Sequence, residues 1–259
     1  MSTAAEPLLK IRGLGVSFDG FHALTDVDLD ATEGEVHFLI GPNGAGKTTL
    51  VDIVTGLTKP TTGSVHFAGQ ELIGRKEHEI VHLGIGRTFQ TASVFEALTV
   101  ADNLDLAASF RIGLRRMLRR RRGTDPRVAE ALETTGLAAV ADRPAGSLSH
   151  GQKQWLEIGM LLVQEPRMLL FDEPVAGMSP DERTRTGELI RLTAERCTVL
   201  VVEHDMDFLR RFATKVTVLH EGKVLRHGAT VAEVQADEQV QEVYIGRAKD
   251  GRGQVGATT

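Results

Sequence analysis

Two kinds of apolar spacing divide the chain. From Leu9 to Phe18 and from Ala23 to Asp30, apolar and polar residues alternate around Asp19-Gly20, which predicts an antiparallel pair of strands joined by a turn. Glu33-Gly34 then turns into Val36 to Ile40, and the amphipathic run Thr48 to Gly56 reads as a helix. Lys59 to Gly63 is a turn, Ser64 to Ala68 a short strand closed by Gly69, Glu77 to Leu83 a helix stopped by Gly84, and Ile85 to Gln90 a strand ending in an amide.

From Thr99 to Gly146 the apolar period is helical and strands disappear, which predicts a helical subdomain inserted into an α/β core. The second half returns to continuous apolar strands, Arg167 to Phe171 and Thr198 to Val202, each followed by a helix, Asp181 to Ala194 and Met206 to Phe212. Unalternated strands separated by helices belong to a parallel sheet covered on both faces. Val216 to His220 and Lys223 to Arg226, joined at Glu221-Gly222, predict a closing hairpin. The expected layout is one domain over 8–246, its core and antiparallel β subdomain at 8–90 and 165–246, its helical subdomain at about 91–164, and a flexible tail at 247–259.

Between the Val36 to Ile40 strand and the helix after it stands Gly41-Pro42-Asn43-Gly44-Ala45-Gly46-Lys47-Thr48-Thr49. Strand, glycine loop and helix in that order make a phosphate-binding P-loop. Glycines let successive N–H groups converge on one concavity, and the helix N-terminus adds partial positive charge. Lys47 would reach the β- and γ-phosphates of a nucleotide, and the Thr48 hydroxyl would ligate Mg2+.

Composition narrows the class. At 259 residues, 41% apolar and 25% charged, the chain is long enough for a full core and ordinary for a globular protein. A net charge of −5 gives no general pull toward nucleic acid. Cys197 is the one cysteine, so no intrachain disulfide forms, which suits a reducing cytosol. Met1 to Lys10 lacks the pattern of a secretory signal, and no apolar run approaches the ~20 residues a membrane-spanning helix needs. Seven arginines between Arg111 and Arg122 are read as a solvated basic face, with contact to anionic lipid as the alternative.

Asp172 and Glu173 end an apolar strand, where carboxylates are costly unless they meet a cation or move a proton. Asp172 can hold a Mg2+ shell, and Glu173 is placed to act as general base toward the attacking water. Leu148 to Gln154 opens a helix with a serine-glycine turn, so Ser149 reads as an N-cap. Phe18 has two readings, an aromatic that stacks on adenine or a core residue at a strand end.

The serine turn, placed after a P-loop and before Asp172-Glu173, resembles the signature motif of ATP-binding cassette proteins. The likeness runs from about Leu9 to Gly246, with its elements in family order: the loop at 41–49, Gln90, the segment 148–152, Asp172-Glu173, and His204. It implies a P-loop NTPase of the cassette type, with a mostly parallel core sheet, an antiparallel β subdomain and an inserted helical subdomain. It further implies ATP and Mg2+ as cofactors, Phe18 stacked on adenine, Gln90 sensing metal and water, and His204 steadying the γ-phosphate. Ser149, His150, Gly151 and Gln152 would face a nucleotide held by a second ATPase subunit, identical or different.

In this reading the chain works on the cytoplasmic face of a membrane, through transmembrane permease subunits and, indirectly, an extracytoplasmic solute-binding protein. Two departures from the family pattern stand out. His150 replaces a glycine of the signature, and Ala176-Gly177-Met178-Ser179 replaces a loop that commonly ends in Asp. Phe18 to Leu24, Gly84 to Gln90 and Val202 to Met206 resemble ATPases of branched-chain amino acid and amide importers. Leu148 to Pro166, Glu173 to Met178, Lys215 to His220 and Gln241 to Gly246 look like the urea-importer branch. The expectation is urea or a short amide as cargo, with branched-chain amino acids as the alternative and a soluble, non-transport cassette ATPase as a third reading.

Overall fold

The computed structural model describes residues 6–89, 92–109 and 125–243. Gln90, the Arg111 to Arg122 run, residues 244–246 and the tail lie outside the described residues. The chain divides into two compact units, one formed by residues up to 32, 37–74 and from 202 onward, the other by 33–36 and 75–201.

In the first unit β1 (Leu9–Phe18) pairs antiparallel with β2 (Phe21–Ala31) and with β4 (Thr62–Phe67), which pairs with β5 (Gln70–Glu71). Asp19 and Gly20 both have positive φ, 48° and 88°, as a two-residue hairpin turn requires. β3 (Val36–Ile40), buried along its whole length, runs parallel to β9 (Lys215–His220), and β9 turns through Glu221-Gly222 into antiparallel β10 (Lys223–Ala229). Helices α1 (Lys47–Val54), α7 (Met206–Phe212) and α8 (Val231–Ala236) complete the unit.

In the second unit β6 (Ile85–Arg87) runs parallel to β7 (Met168–Asp172), and β8 (Thr198–Glu203) lies next in order after β7. Strands β7 and β8 are buried on both faces, as their unbroken apolar runs predict. Helix α2 (Glu77–Leu83) precedes β6. Helices α3 (Val100–Ala108), α4 (Pro126–Thr135) and α5 (His150–Leu162) pack against one another, and α6 (Pro180–Ala194) packs against α4 and α5. The expected strand Ile85 to Gln90 stops at Arg87, because its register with β7 ends where Thr88 bonds back to Leu170. Among the described residues no helix is long and apolar enough to cross a membrane.

Candidate nucleotide site

The glycine loop is built into the first unit by close backbone approach. A Cβ on Gly41 would lie 2.1 Å from the Leu219 carbonyl oxygen, and one on Gly46 would lie 2.6 Å from Leu24 Cδ2 and 2.7 Å from the Ala23 oxygen. Gly46 also has φ 101°, so only glycine fits there without strain. The loop is tied to the β9–β10 turn, where Gly222 N–H donates to the Ala45 oxygen at 3.1 Å. Lys47 is buried, and its Nζ donates to the oxygens of Gly41 at 2.8 Å and Pro42 at 3.1 Å. Gly46 caps α1 with no side-chain bond, and the first turn holds no acidic residue, which leaves the positive end of the helix for an anion. Asn43, Gly44 and Thr48 are exposed, Pro42 and Thr49 are half-buried, and Ala45 is buried.

This donor set fits a nucleotide's phosphates. Magnesium, a hard cation, takes oxygen ligands, and the Thr48 hydroxyl of the first unit and the Asp172 carboxylate of the second are each of that kind.

Phe18 is 49% exposed at the tip of the first hairpin, beside Phe21 at 67%, which removes its core reading. His204 follows β8 on the turn into α7. Beneath it the buried carboxylate of Glu203 accepts the N–H groups of His204 at 2.8 Å and Asp205 at 3.1 Å, and lies 3.8 Å from His204 Nδ1. Glu203 thus shapes the turn that presents the histidine, a role that no local spacing announces.

In the second unit Asp172 ends β7, and Arg87 at the end of β6 donates to its Oδ2 at 2.9 Å with both side chains largely buried. That guanidinium is the cation that burial of the carboxylate demands. Glu173, next along, has φ 49°. A non-glycine residue held there costs about 1–2 kcal/mol, and such strain collects at functional sites.

The serine turn is a full capping box. Ser149 Oγ accepts from Gln152 N–H at 3.2 Å, and Gln152 Oε1 accepts from Ser149 N–H at 3.1 Å. His150 is exposed, and Gly151 is buried. Glu182 lies directly over this turn: Ser149 Oγ donates to its Oε1 at 3.4 Å, and a Cβ on Gly151 would meet that oxygen at 2.6 Å. Its other oxygen closes a second box on Ser179, the N-cap of α6, at 3.0 Å from the N–H and 2.9 Å from the hydroxyl. Those Ser179 bonds, then Ser149 and the nearby His150, hold the Glu182 carboxyl below its usual range. The loop that lacks the common Asp therefore has a carboxylate after all, three residues on.

A strand, glycine loop and helix with a buried lysine, together with a strand-end acid pair, define a P-loop nucleoside triphosphatase. The family model described as ABC transporter matches residues 24–176, and the chain belongs to that family. It is an ATP-binding, ATP-hydrolysing subunit of an ABC transporter. The high-affinity branched-chain amino acid transport ATP-binding protein BraF of Pseudomonas aeruginosa is 35% identical over 94% of this chain and 100% of its own length. The ADP conformation of MJ1267, an ATP-binding cassette of an ABC transporter, superposes with a TM-score of 0.81 at 31% identity, over 93% of this chain and 100% of that one. MJ0796, an ATP-binding cassette solved as a dimer in a post-hydrolysis state with ADP and Pi, matches at a TM-score of 0.69 and 26% identity over 84% of this chain and 97% of that one. The urea likeness read from the sequence has no counterpart in these relatives.

Proposed function

We propose that the chain powers an importer of branched-chain amino acids, as a peripheral subunit on the cytoplasmic face of the membrane. The observation that carries this reading is the end-to-end relation to BraF. Urea or a short amide, the cargo the local likenesses suggested, is the reading that the test below sets against it.

The chain is one ATPase domain over 8–246 with a helical subdomain near 91–164. Phe18 stacks on the adenine, the 41–49 loop cradles the phosphates, and Lys47 neutralises the β- and γ-oxygens. Thr48, Asp172 and Gln90 would hold a magnesium ion, whose charge, when bound, would offset that of the phosphates. Glu173 takes the proton from a water that attacks the γ-phosphorus, while the bond to the β–γ bridging oxygen breaks to leave ADP and phosphate. His204 steadies the attacking water and the γ-phosphate.

Ser149 to Gln152 read the γ-phosphate of a nucleotide held by a second ATPase subunit; that such cassettes pair is supported by MJ0796, solved as a dimer with ADP and Pi. Permease subunits would turn its opening and closing into transport. The test is uptake of labelled leucine and labelled urea by cells lacking only this chain. Loss of leucine uptake with urea uptake intact is expected; the reverse would overturn the cargo reading.

A further inference from the structure

Helix α5 begins at the serine turn and buries a carboxyl group two turns further on. Glu157 is 4% exposed. Its Oε1 accepts the backbone N–H groups of Ser93 at 3.2 Å and Phe89 at 3.5 Å, and its Oε2 is buried with no hydrogen-bond partner among the described residues. Desolvation pushes this carboxyl up to about 7, against the pull of those two N–H groups.

Such a group is a poor stabiliser, since an apolar side chain of similar size in its place is commonly neutral or better. What it does hold is backbone just beyond β6. The same segment carries a second tie, because the Arg87 guanidinium lies 5.4 Å over the Phe89 ring while binding Asp172 at 2.9 Å. Asp172, Arg87, Phe89 and Glu157 therefore form one continuous string, from the carboxylate at the end of β7 to the helix that the signature opens. All four lie in one compact unit.

We propose that Glu157 is a positioning residue for ATP hydrolysis: it fixes the chain leaving β6, so that the signature helix and the Asp172 carboxylate are set by one string of contacts. The inference rests on the reading of Asp172 as a nucleotide-site residue. It assigns Glu157 no contact with nucleotide, so its effect falls on turnover and leaves binding alone.

The experiment compares the full chain with Glu157→Met, Glu157→Gln and Gln90→Ala, reading kcat for ATP, ADP affinity and thermal midpoint. Glu157→Met is expected to keep ADP affinity within about twofold and the midpoint at or above the parent's, while kcat falls about tenfold or more, as misplacement of a reacting geometry does. Glu157→Gln keeps an acceptor for Ser93 and Phe89 and is expected to recover turnover to within about threefold of the parent. A kcat within about twofold of the parent in Glu157→Met, a loss shared equally by ADP affinity, or a Gln variant as slow as the Met variant would each overturn the proposal.

If the Met variant does not fold, Phe89→Leu at an exposed position breaks the same string at the ring, and the same readings apply. Loss of turnover in Gln90→Ala without loss in Glu157→Met sinks the positioning role. Loss in Glu157→Met without loss in Gln90→Ala sinks the reading of Gln90 and leaves Glu157 standing.

Discussion

The glycine loop before α1 and the serine turn before α5 are both helix N-termini, yet they are finished in opposite ways. At the loop the cap is Gly46, which offers no side chain, and a buried lysine folds back over the carbonyls. At the turn Ser149 and Gln152 satisfy the first amides themselves, and Glu182 rests its carboxylate on the serine hydroxyl. The loop is an open cationic grip for an anion. The turn is a closed, acid-bearing edge, and the proposed function has it completed by a nucleotide on another subunit.

The largest effect should come from breaking the grip. Lys47→Ala removes the point charge on the β- and γ-phosphates and is expected to cut ATP turnover about a thousandfold, measured as phosphate release. Next comes Glu173→Gln, which keeps nucleotide binding but lowers kcat about a hundredfold or more. Normal turnover in that variant refutes the general-base role.

A smaller effect belongs to the helix behind the turn. The folded chain holds the Glu157 proton to about 7 against an ordinary carboxyl value of 4.5. A raised folded value makes that stability complete below the unfolded pKa, and it is lost as pH rises toward 7, by about 3 kcal/mol in all. Glu157→Gln should abolish this fall. Chemical unfolding of parent and variant between about pH 4 and pH 8 isolates it as the difference between the two curves.

The smallest effect sharpens the contrast itself. Glu182→Gln keeps the acceptor for Ser179 but removes the negative charge beside Ser149, so ATP-dependent subunit association should tighten about threefold at low salt and less at high salt. Weaker association would show that the carboxylate helps the turn to receive phosphate.

Much of this was legible along the chain, because strands at period two, the glycine loop and the capping serines are local signals. Ser179-x-x-Glu182 and Thr230-x-x-Glu233 are boxes of the same local kind, and the second marks α8, which the periodicity passes over. The ties that finish the site are not local. Arg87 meets Asp172 across 85 positions, Glu157 meets Phe89 across 68, and Glu182 meets Ser149 across 33. No periodicity encodes such pairs; only the packing of β6 on β7 and of α5 on α6 brings them together. Phe18 shows the same limit, since alternation placed it on a strand and only the structure put its ring in solvent.

The most direct test of the contrast uses Ser149→Arg in membranes carrying the assembled transporter, with nucleotide binding and ATP hydrolysis measured side by side. If the loop grips and the turn completes a site on another subunit, binding persists and hydrolysis is lost. Retention of both, or loss of both together, contradicts that division of labour.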